Sequence, residues 1–221
     1  LIPKSPEELD GKISQEEVSF AIKKLKNRSS PGIDGLVALF YKTYINELTP
    51  FLTQMYNFIL ENRTCNSDFK IAIIRFLNKN KGDDHLPSGY RPISLLNIDY
   101  KILSQILAFR LQSQLGNLLK SNKAYVRGRN ILDNVLNLDA VFKLELGTEY
   151  ILLSDFSAAF DSMSHEWIRL VCKEAKLGDF FCNAIDFLLK DMHAFPMIGQ
   201  GISNHIINLE AGVRQGDPLS G

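Results

Sequence analysis

Tyr150-Ile151-Leu152-Leu153-Ser154-Asp155-Phe156-Ser157-Ala158-Ala159-Phe160-Asp161 is the stretch whose reading decides the fold. Its first four residues form a short apolar run, which reads as a buried strand. Such a strand would deliver the Asp155 carboxylate to its exit, with the Phe160 ring five residues further on. A carboxylate in that position suits Mg²⁺, which takes one or two protein carboxylates and completes its octahedron with water and phosphate oxygens. Aspartates after strands also serve as helix caps and turn formers, so the stretch alone leaves both readings open.

The surrounding composition is that of a folded globular protein: 221 residues, 45% hydrophobic and 23% charged. That length suits one large domain or two small ones. The sequence begins at Leu1 and stops at Gly221 just after the turn-like Gly216-Asp217-Pro218-Leu219-Ser220, so both ends are expected to be cut from something longer. Three cysteines, Cys65, Cys172 and Cys182, lack ligand spacing, which favours neither a disulfide framework nor a zinc site and fits a reducing compartment. There is no charged-then-apolar leader, and no apolar run approaches the roughly 18 residues that span a bilayer, so no membrane role is expected. The net charge of zero conceals an asymmetry. Residues 63–129 hold 12 lysines and arginines against 4 acids, an excess of 8 that the rest of the chain balances. The basic stretch suits phosphates, or is simply a solvated face.

Periodicity supplies the elements. Ser14-Gln15-Glu16-Glu17 is a capping box ahead of Val18, Ala21, Ile22 and Leu25, which predicts a helix over 14–26. Ser29 to Gly35 breaks it, a second helix follows at about 36–47, and Thr49-Pro50 reads as the start of a third. Ile71 to Leu77 reads as a strand ended by a turn from Asn78 to Gly89. From Ile93 to about Leu119 the apolar spacing predicts one long helix or two in series, repeated from Ile131 to Leu146. Helices at about 164–176 and 179–192 and strand pieces near 196–199 and 205–210 complete the order. With no internal repeat and no linker, this predicts an α+β fold in which helices cover one face of a small, mainly antiparallel sheet.

Three further stretches carry chemistry. Ala211-Gly212-Val213-Arg214-Gln215-Gly216-Asp217-Pro218-Leu219-Ser220 combines glycines that permit close backbone approach with Arg214 and Gln215, which can contact a nucleotide or template, or is a plain turn. In Gly89-Tyr90-Arg91-Pro92-Ile93-Ser94-Leu95-Leu96-Asn97, Arg91 stands just ahead of the expected long helix, an electrostatically poor place that makes an anionic partner such as a triphosphate attractive. Lys123-Ala124-Tyr125-Val126-Arg127-Gly128-Arg129-Asn130 suits a nucleic-acid backbone, or is a solvated basic turn.

In this order and at these intervals the stretches resemble the reverse transcriptases of non-LTR (LINE-type) retrotransposons, over nearly the whole chain. Ser30-Pro31-Gly32-Ile33-Asp34-Gly35 looks like the family's amino-terminal Pro-Gly-x-Asp-Gly box, and Tyr90 to Asn97 with Tyr100-Lys101-Ile102 and Leu107 to Leu111 is similar to its fingers signature. Ala124 to Asn134 resembles the box that normally reads Gln-x-Gly/Ala-Phe-x-x-Gly-Arg. Asp155 to Asp161 resembles the palm motif with the first metal-binding aspartate, and Gly212 to Ser220 the template-grip motif.

The resemblance implies a partial reverse transcriptase domain over 1–221, with helical fingers to about 145 and an incomplete palm from about 146. Asp155 would be the catalytic metal ligand for Mg²⁺ or Mn²⁺, two ions in the complete enzyme, with the backbone carbonyl of Phe156 as a second contact. Phe160 falls at the steric-gate position, where a ring would collide with a ribose 2′-hydroxyl, so dNTP is the expected substrate. Arg91 and Lys79 would bind its phosphates, and Gln215 and Gly216 would support the template and nascent pair. Arg127, Arg129 and Arg214 would contact nucleic acid. RNA template, DNA primer and dNTP are the implied partners, in the nucleus or cytoplasm of a eukaryotic cell. Asn78, Asn122 and Ala158 depart from the family's usual proline, glutamine and lysine. No Tyr/Phe-Ala-Asp-Asp run occurs in the 221 residues, so this stretch alone is expected to be inactive. The competing readings are a non-catalytic nucleic-acid-binding remnant of a decayed or co-opted element, and a related polymerase of maturase or RNA-dependent RNA polymerase type. The Phe160 ring speaks against RNA synthesis.

Overall fold

The computed structural model describes residues 9–80, 85–143 and 152–220. Its helices are α1 (Gln15–Lys24), α2 (Ala38–Thr43), α3 (Ile45–Asn62), α4 (Ile98–Leu118), α5 (Leu132–Lys143), α6 (Ala159–Ser162), α7 (His165–Glu174) and α8 (Asp179–Leu189). The strands are β1 (Ala72–Asn78), β2 (Tyr90–Leu96), β3 (His193–Ile198), β4 (Gly201–Ile202) and β5 (Ile207–Asn208). The sheet runs β2-β1-β3-β4, with β5 also on β3. The β1–β2, β3–β4 and β3–β5 pairings are antiparallel and β1–β3 is parallel, so the small, mainly antiparallel sheet of an α+β fold is present.

The capping box forms as the sequence predicts. The amide of Glu17 donates to Ser14 Oγ at 3.3 Å, and the amide of Ser14 donates to Glu17 Oε2 at 2.9 Å. Val18, Ala21 and Ile22 of α1 then join one core with Leu52, Tyr56 and Ile59 of α3 and Ile102, Leu103, Ile106 and Leu107 of α4. That core also takes Ala72 and Ile74 from β1 and Phe181, Ile185 and Leu188 from α8, so the helices and the sheet share one interior.

Three expectations are corrected. The third helix begins at Ile45 rather than at Pro50, which lies inside it. Proline there removes one amide donor, and the preceding Thr49 turns its hydroxyl onto the Ile45 carbonyl at 2.6 Å. Second, residues 90–96 form β2, not the start of the long helix, which begins at Ile98. Leu95 and Leu96 continue the helical spacing in the sequence, but they pair across to Ile73 and Ala72. Proline at 92 fits an extended strand better than a helix interior. Third, the strand expected to end at Asp155 is absent over its described part. Leu152 and Leu153 are 91% and 84% exposed and pair with no strand among the described residues, while Tyr150 and Ile151 lie outside them. An apolar run becomes a strand only beside an open edge. Both edges of β1 are taken by β2 and β3, β3 is closed by β4 and β5, and the Ser94 amide of β2 donates to Gln215 O at 2.8 Å. The helix expected over 131–146 is present as α5, although no residue of it is buried among the described residues and positions 144–146 lie outside them.

The start of α4 carries a titratable strain. Burial pushes the Asp99 carboxyl up from 3.8 to about 6, aided by the charge of Asp34 and opposed by the Tyr100 amide that donates to Asp99 Oδ1 at 2.6 Å. The folded state therefore binds the proton more tightly than the unfolded chain. The resulting cost is absent below about pH 4, grows as pH rises towards 6 and is full above it. Asp99→Asn keeps the acceptor for the Tyr100 amide and is expected to raise stability at pH 7 by about 2 kcal/mol. Urea unfolding at pH 4.5 and 7.5 checks this, because the gain shrinks at the lower pH.

Candidate nucleotide and nucleic-acid site

Four of the five sequence stretches meet around the loop 209–220. Two backbone bonds tie it to the α6 segment: the Gly212 amide donates to Met163 O at 2.7 Å and the Val213 amide to Phe160 O at 2.8 Å. His165 Nε2 donates to Gly212 O at 2.7 Å from a buried position. Gly212 has φ +80°, and a Cβ there would sit 2.6 Å from the Asp161 carbonyl oxygen, so the approach requires glycine. Gly216, at φ +114°, lies as close to β2, where a Cβ would meet Ser94 O at 2.8 Å.

Asp217 fastens the far end of the loop to α4. Its Oδ2 accepts from Tyr100 Oη at 2.9 Å, and its Oδ1 accepts from the Leu219 amide at 3.0 Å and from the Ser104 hydroxyl. These anchors escaped the sequence reading, which gave Asp217, Tyr100, Ser104 and His165 no role. Ser104, a hydroxyl among the apolar positions of α4, was the available signal. Arg214, expected to face nucleic acid, is buried instead, with its guanidinium carbon 5.1 Å from the centre of the Tyr100 ring.

The amino-terminal box docks on the same β2–α4 corner. A Cβ on Gly32 would lie 2.1 Å from Asn97 Oδ1, and Lys101 Nζ donates to Ser30 O at 3.1 Å. Asn97 Nδ2 reaches the Asp68 carbonyl at 3.1 Å, fixing the corner to the segment that enters β1.

The basic residues divide by position. Arg91 is exposed on β2 opposite Leu77, and Lys79 follows β1 at the same end of the hairpin, its amide on Gly89 O at 2.8 Å and its Nζ on Ser88 O at 2.9 Å. Arg91 thus stands on a strand rather than ahead of a helix. Arg127 is exposed, and its amide donates to Gln112 Oε1 at 3.0 Å. Arg129 turns back onto the carboxyl end of α4, donating to Gly116 O at 3.0 Å, to Asn122 O at 2.7 Å and to Leu119 O. Its charge there complements the negative end of the helix dipole.

Phe160 stands at the centre of these stretches. It is partly exposed, and its ring meets the edge of Tyr125 at a centroid distance of 6.5 Å and an angle of 80°. Ala158 enters α6 with φ +50°, a left-handed conformation that costs an L-residue about 1–2 kcal/mol and turns the chain sharply between Asp155 and Phe160. Asp155 and Phe156 are exposed on the irregular segment before that turn. The Asp155 carboxylate and the Phe156 carbonyl are hard oxygen donors of the kind that Mg²⁺ takes, so the donor chemistry fits the implied ion. The described residues contain no group of three potential metal-ligating side chains.

Comparison with known proteins bears on this arrangement. The sequence model of the family described as reverse transcriptase (RNA-dependent DNA polymerase) matches residues 77–221, about two-thirds of the chain. The chain therefore belongs to the reverse transcriptase family. It is 31% identical over 212 residues to the Pol polyprotein of the type-1 retrotransposable element R2 from Popillia japonica, covering 94% of this chain and 29% of that protein. It is 29% identical over 219 residues to the 149 kDa protein of transposon TX1 from Xenopus laevis, covering 97% of this chain and 17% of that one. A "Probable RNA-directed DNA polymerase from transposon BS" of Drosophila melanogaster is 29% identical over 214 residues, covering 94% and 23%. Its relatives are thus non-LTR retrotransposon proteins, and the chain spans less than a third of the length of each of these three.

Proposed function

We propose that this chain is the fingers and first palm segment of an RNA-directed DNA polymerase, which adds dNMP to the 3′-hydroxyl of a DNA primer under direction of an RNA template. The observation that carries the reading is the docking of the 209–220 loop, which bonds through its backbone to the Phe160 turn on one side and to β2, the strand of Arg91, on the other. One nucleotide could then touch elements that lie far apart in sequence. Arg91 and Lys79 offer donors to its phosphates, Gln215 and Gly216 face the template and the new base pair, and the Phe160 ring occupies the space a 2′-hydroxyl needs. Asp155 and the Phe156 carbonyl would hold one of two Mg²⁺ or Mn²⁺ ions, which, when bound, neutralise charge developing on the attacking and leaving oxygens. Arg127 lies on an exposed basic loop suited to the nucleic-acid backbone. The 221 residues by themselves are proposed to be inactive, because a metal pair needs carboxylates from a second motif.

The experiment is template-directed incorporation by a longer chain that includes this segment, comparing Phe160→Ala with the parent. The variant is expected to accept ribonucleotides roughly 10- to 100-fold better relative to deoxynucleotides, the scale on which removing a pocket wall relaxes selectivity. Unchanged sugar discrimination removes Phe160 from the gate. Incorporation by the 221-residue chain alone would contradict its proposed dependence on a second motif.

A further inference from the structure

Arg214 is 4% exposed, and its Nε, Nη1 and Nη2 have no hydrogen-bond partner among the described residues. The Tyr100 ring lies 5.1 Å from its guanidinium carbon. A cation over an aromatic face recovers less than the hydration that a buried guanidinium gives up. Asp217 shares Tyr100 with Arg214, but its oxygens accept from Tyr100, Ser104 and the Leu219 amide. The guanidinium therefore calls for another anion, and its burial keeps it from large ligands.

Arg214 and Asp161 border the same cavity of about 120 Å³, with Ser94, Gln215 and Ile74 also in its wall. Backbone bonds from Gly212 to Met163 and from Val213 to Phe160 pin the two segments together on either side of Asp161. The Asp161 backbone is so near Gly212 that a Cβ there would overlap it. The Asp161 carboxylate is left without a hydrogen bond or ion pair to any described residue.

We propose that Asp161 is a positioning residue whose carboxylate pairs with the Arg214 guanidinium across this cavity, latching the Phe160 turn to the 209–220 loop. Asp161 is exposed as it stands, so the pairing requires its short side chain to rotate between staggered wells towards the guanidinium. The pair satisfies a buried donor set in the bidentate manner that arginine and carboxylate favour. The latch does not depend on the polymerase reading, since it concerns only how two segments of this chain are held.

The test is a double-mutant cycle on urea unfolding of the 221-residue chain, with Asp161→Asn, Arg214→Gln and the double variant, and Asp161→Glu as the conservative rescue. The expected result is a coupling of roughly tenfold or more in the folding equilibrium, the double variant losing little beyond the worse single one. Asp161→Glu should recover much of what the isosteric Asp161→Asn loses. Additive losses, coupling of Arg214 to Asp217 but not to Asp161, or stabilisation by Arg214→Gln alone would overturn the pairing. Stabilisation of the parent by added inorganic pyrophosphate that Arg214→Gln abolishes would also overturn it, by assigning the guanidinium to an external anion. If Arg214→Gln does not fold, the Asp161→Asn and Asp161→Glu pair decides: equal losses reject the latch and a glutamate rescue supports it.

Discussion

Replacing Asp155 by asparagine in a longer chain that contains this segment is expected to lower dNTP incorporation by several orders of magnitude while leaving the fold intact. The side chain is exposed and its neighbours Leu152, Leu153 and Phe156 are exposed with it, so no packing is lost. What changes is charge: the amide keeps the size of the carboxylate but binds a divalent cation far less well. Catalysis in phosphoryl transfer rests almost wholly on positioning and electrostatic stabilisation, so weakening an ion site costs rate more than affinity. Single-turnover incorporation over a range of Mg²⁺ concentrations, beside a urea unfolding curve for each protein, makes the check. Retained activity with an unchanged metal requirement would remove Asp155 from the site.

The second large effect concerns stability. Arg110 is 2% exposed within the core, where it donates to Glu17 through Nε at 2.6 Å and Nη2 at 2.8 Å. It also donates to the carbonyls of Gly11 at 2.6 Å, Lys12 at 3.0 Å and Leu9 at 3.1 Å. One guanidinium thus joins α4 to the capping box of α1 and fixes the segment ahead of it. Arg110→Met keeps the bulk of the stem but strands a largely buried carboxylate and three carbonyls. The expected loss is about 3–5 kcal/mol, a large share of the 5–15 kcal/mol typical of a folded domain. Glu17→Gln combined with Arg110→Met should cost less than the two losses summed, because the unpaired charge is gone. A loss below about 1 kcal/mol for Arg110→Met, read from urea midpoints at constant m, would show the network to be redundant.

Legibility followed the range of the forces involved. The capping box of α1 and the helices α7 and α8 were readable because caps and apolar spacing are set within a few residues. β1 was readable from its β-branched run. β2 was not, since Leu95 and Leu96 fit a helix locally and only the hairpin with β1 makes them extended. The segment at 152–153 failed in the opposite direction: its composition asked for a strand, but strand formation requires a partner edge that composition does not report. In the site, the order of the motifs followed from the resemblance, whereas the backbone bonds that tie the Phe160 turn to the 209–220 loop did not. Which arginines turn inward did not. Arg129 spends its donors on the carboxyl end of α4 and Arg214 lies under cover, whereas Arg91 and Arg127 stay exposed, a division that depends on packing rather than spacing.

The parallel pairing of Ala72 with Ala194 has a consequence for biogenesis. About 120 residues separate the two partners, so during translation β1 emerges long before the strand that closes its second side. Until His193 to Ile198 leave the ribosome, a nascent chain shows an open edge of Ala72, Ile73 and Ile74, the kind of surface that joins neighbouring chains into aggregates. Ribosomes stalled before His193 to Ile198 have left the exit tunnel should therefore yield chains that need chaperones more than those stalled once these residues are outside.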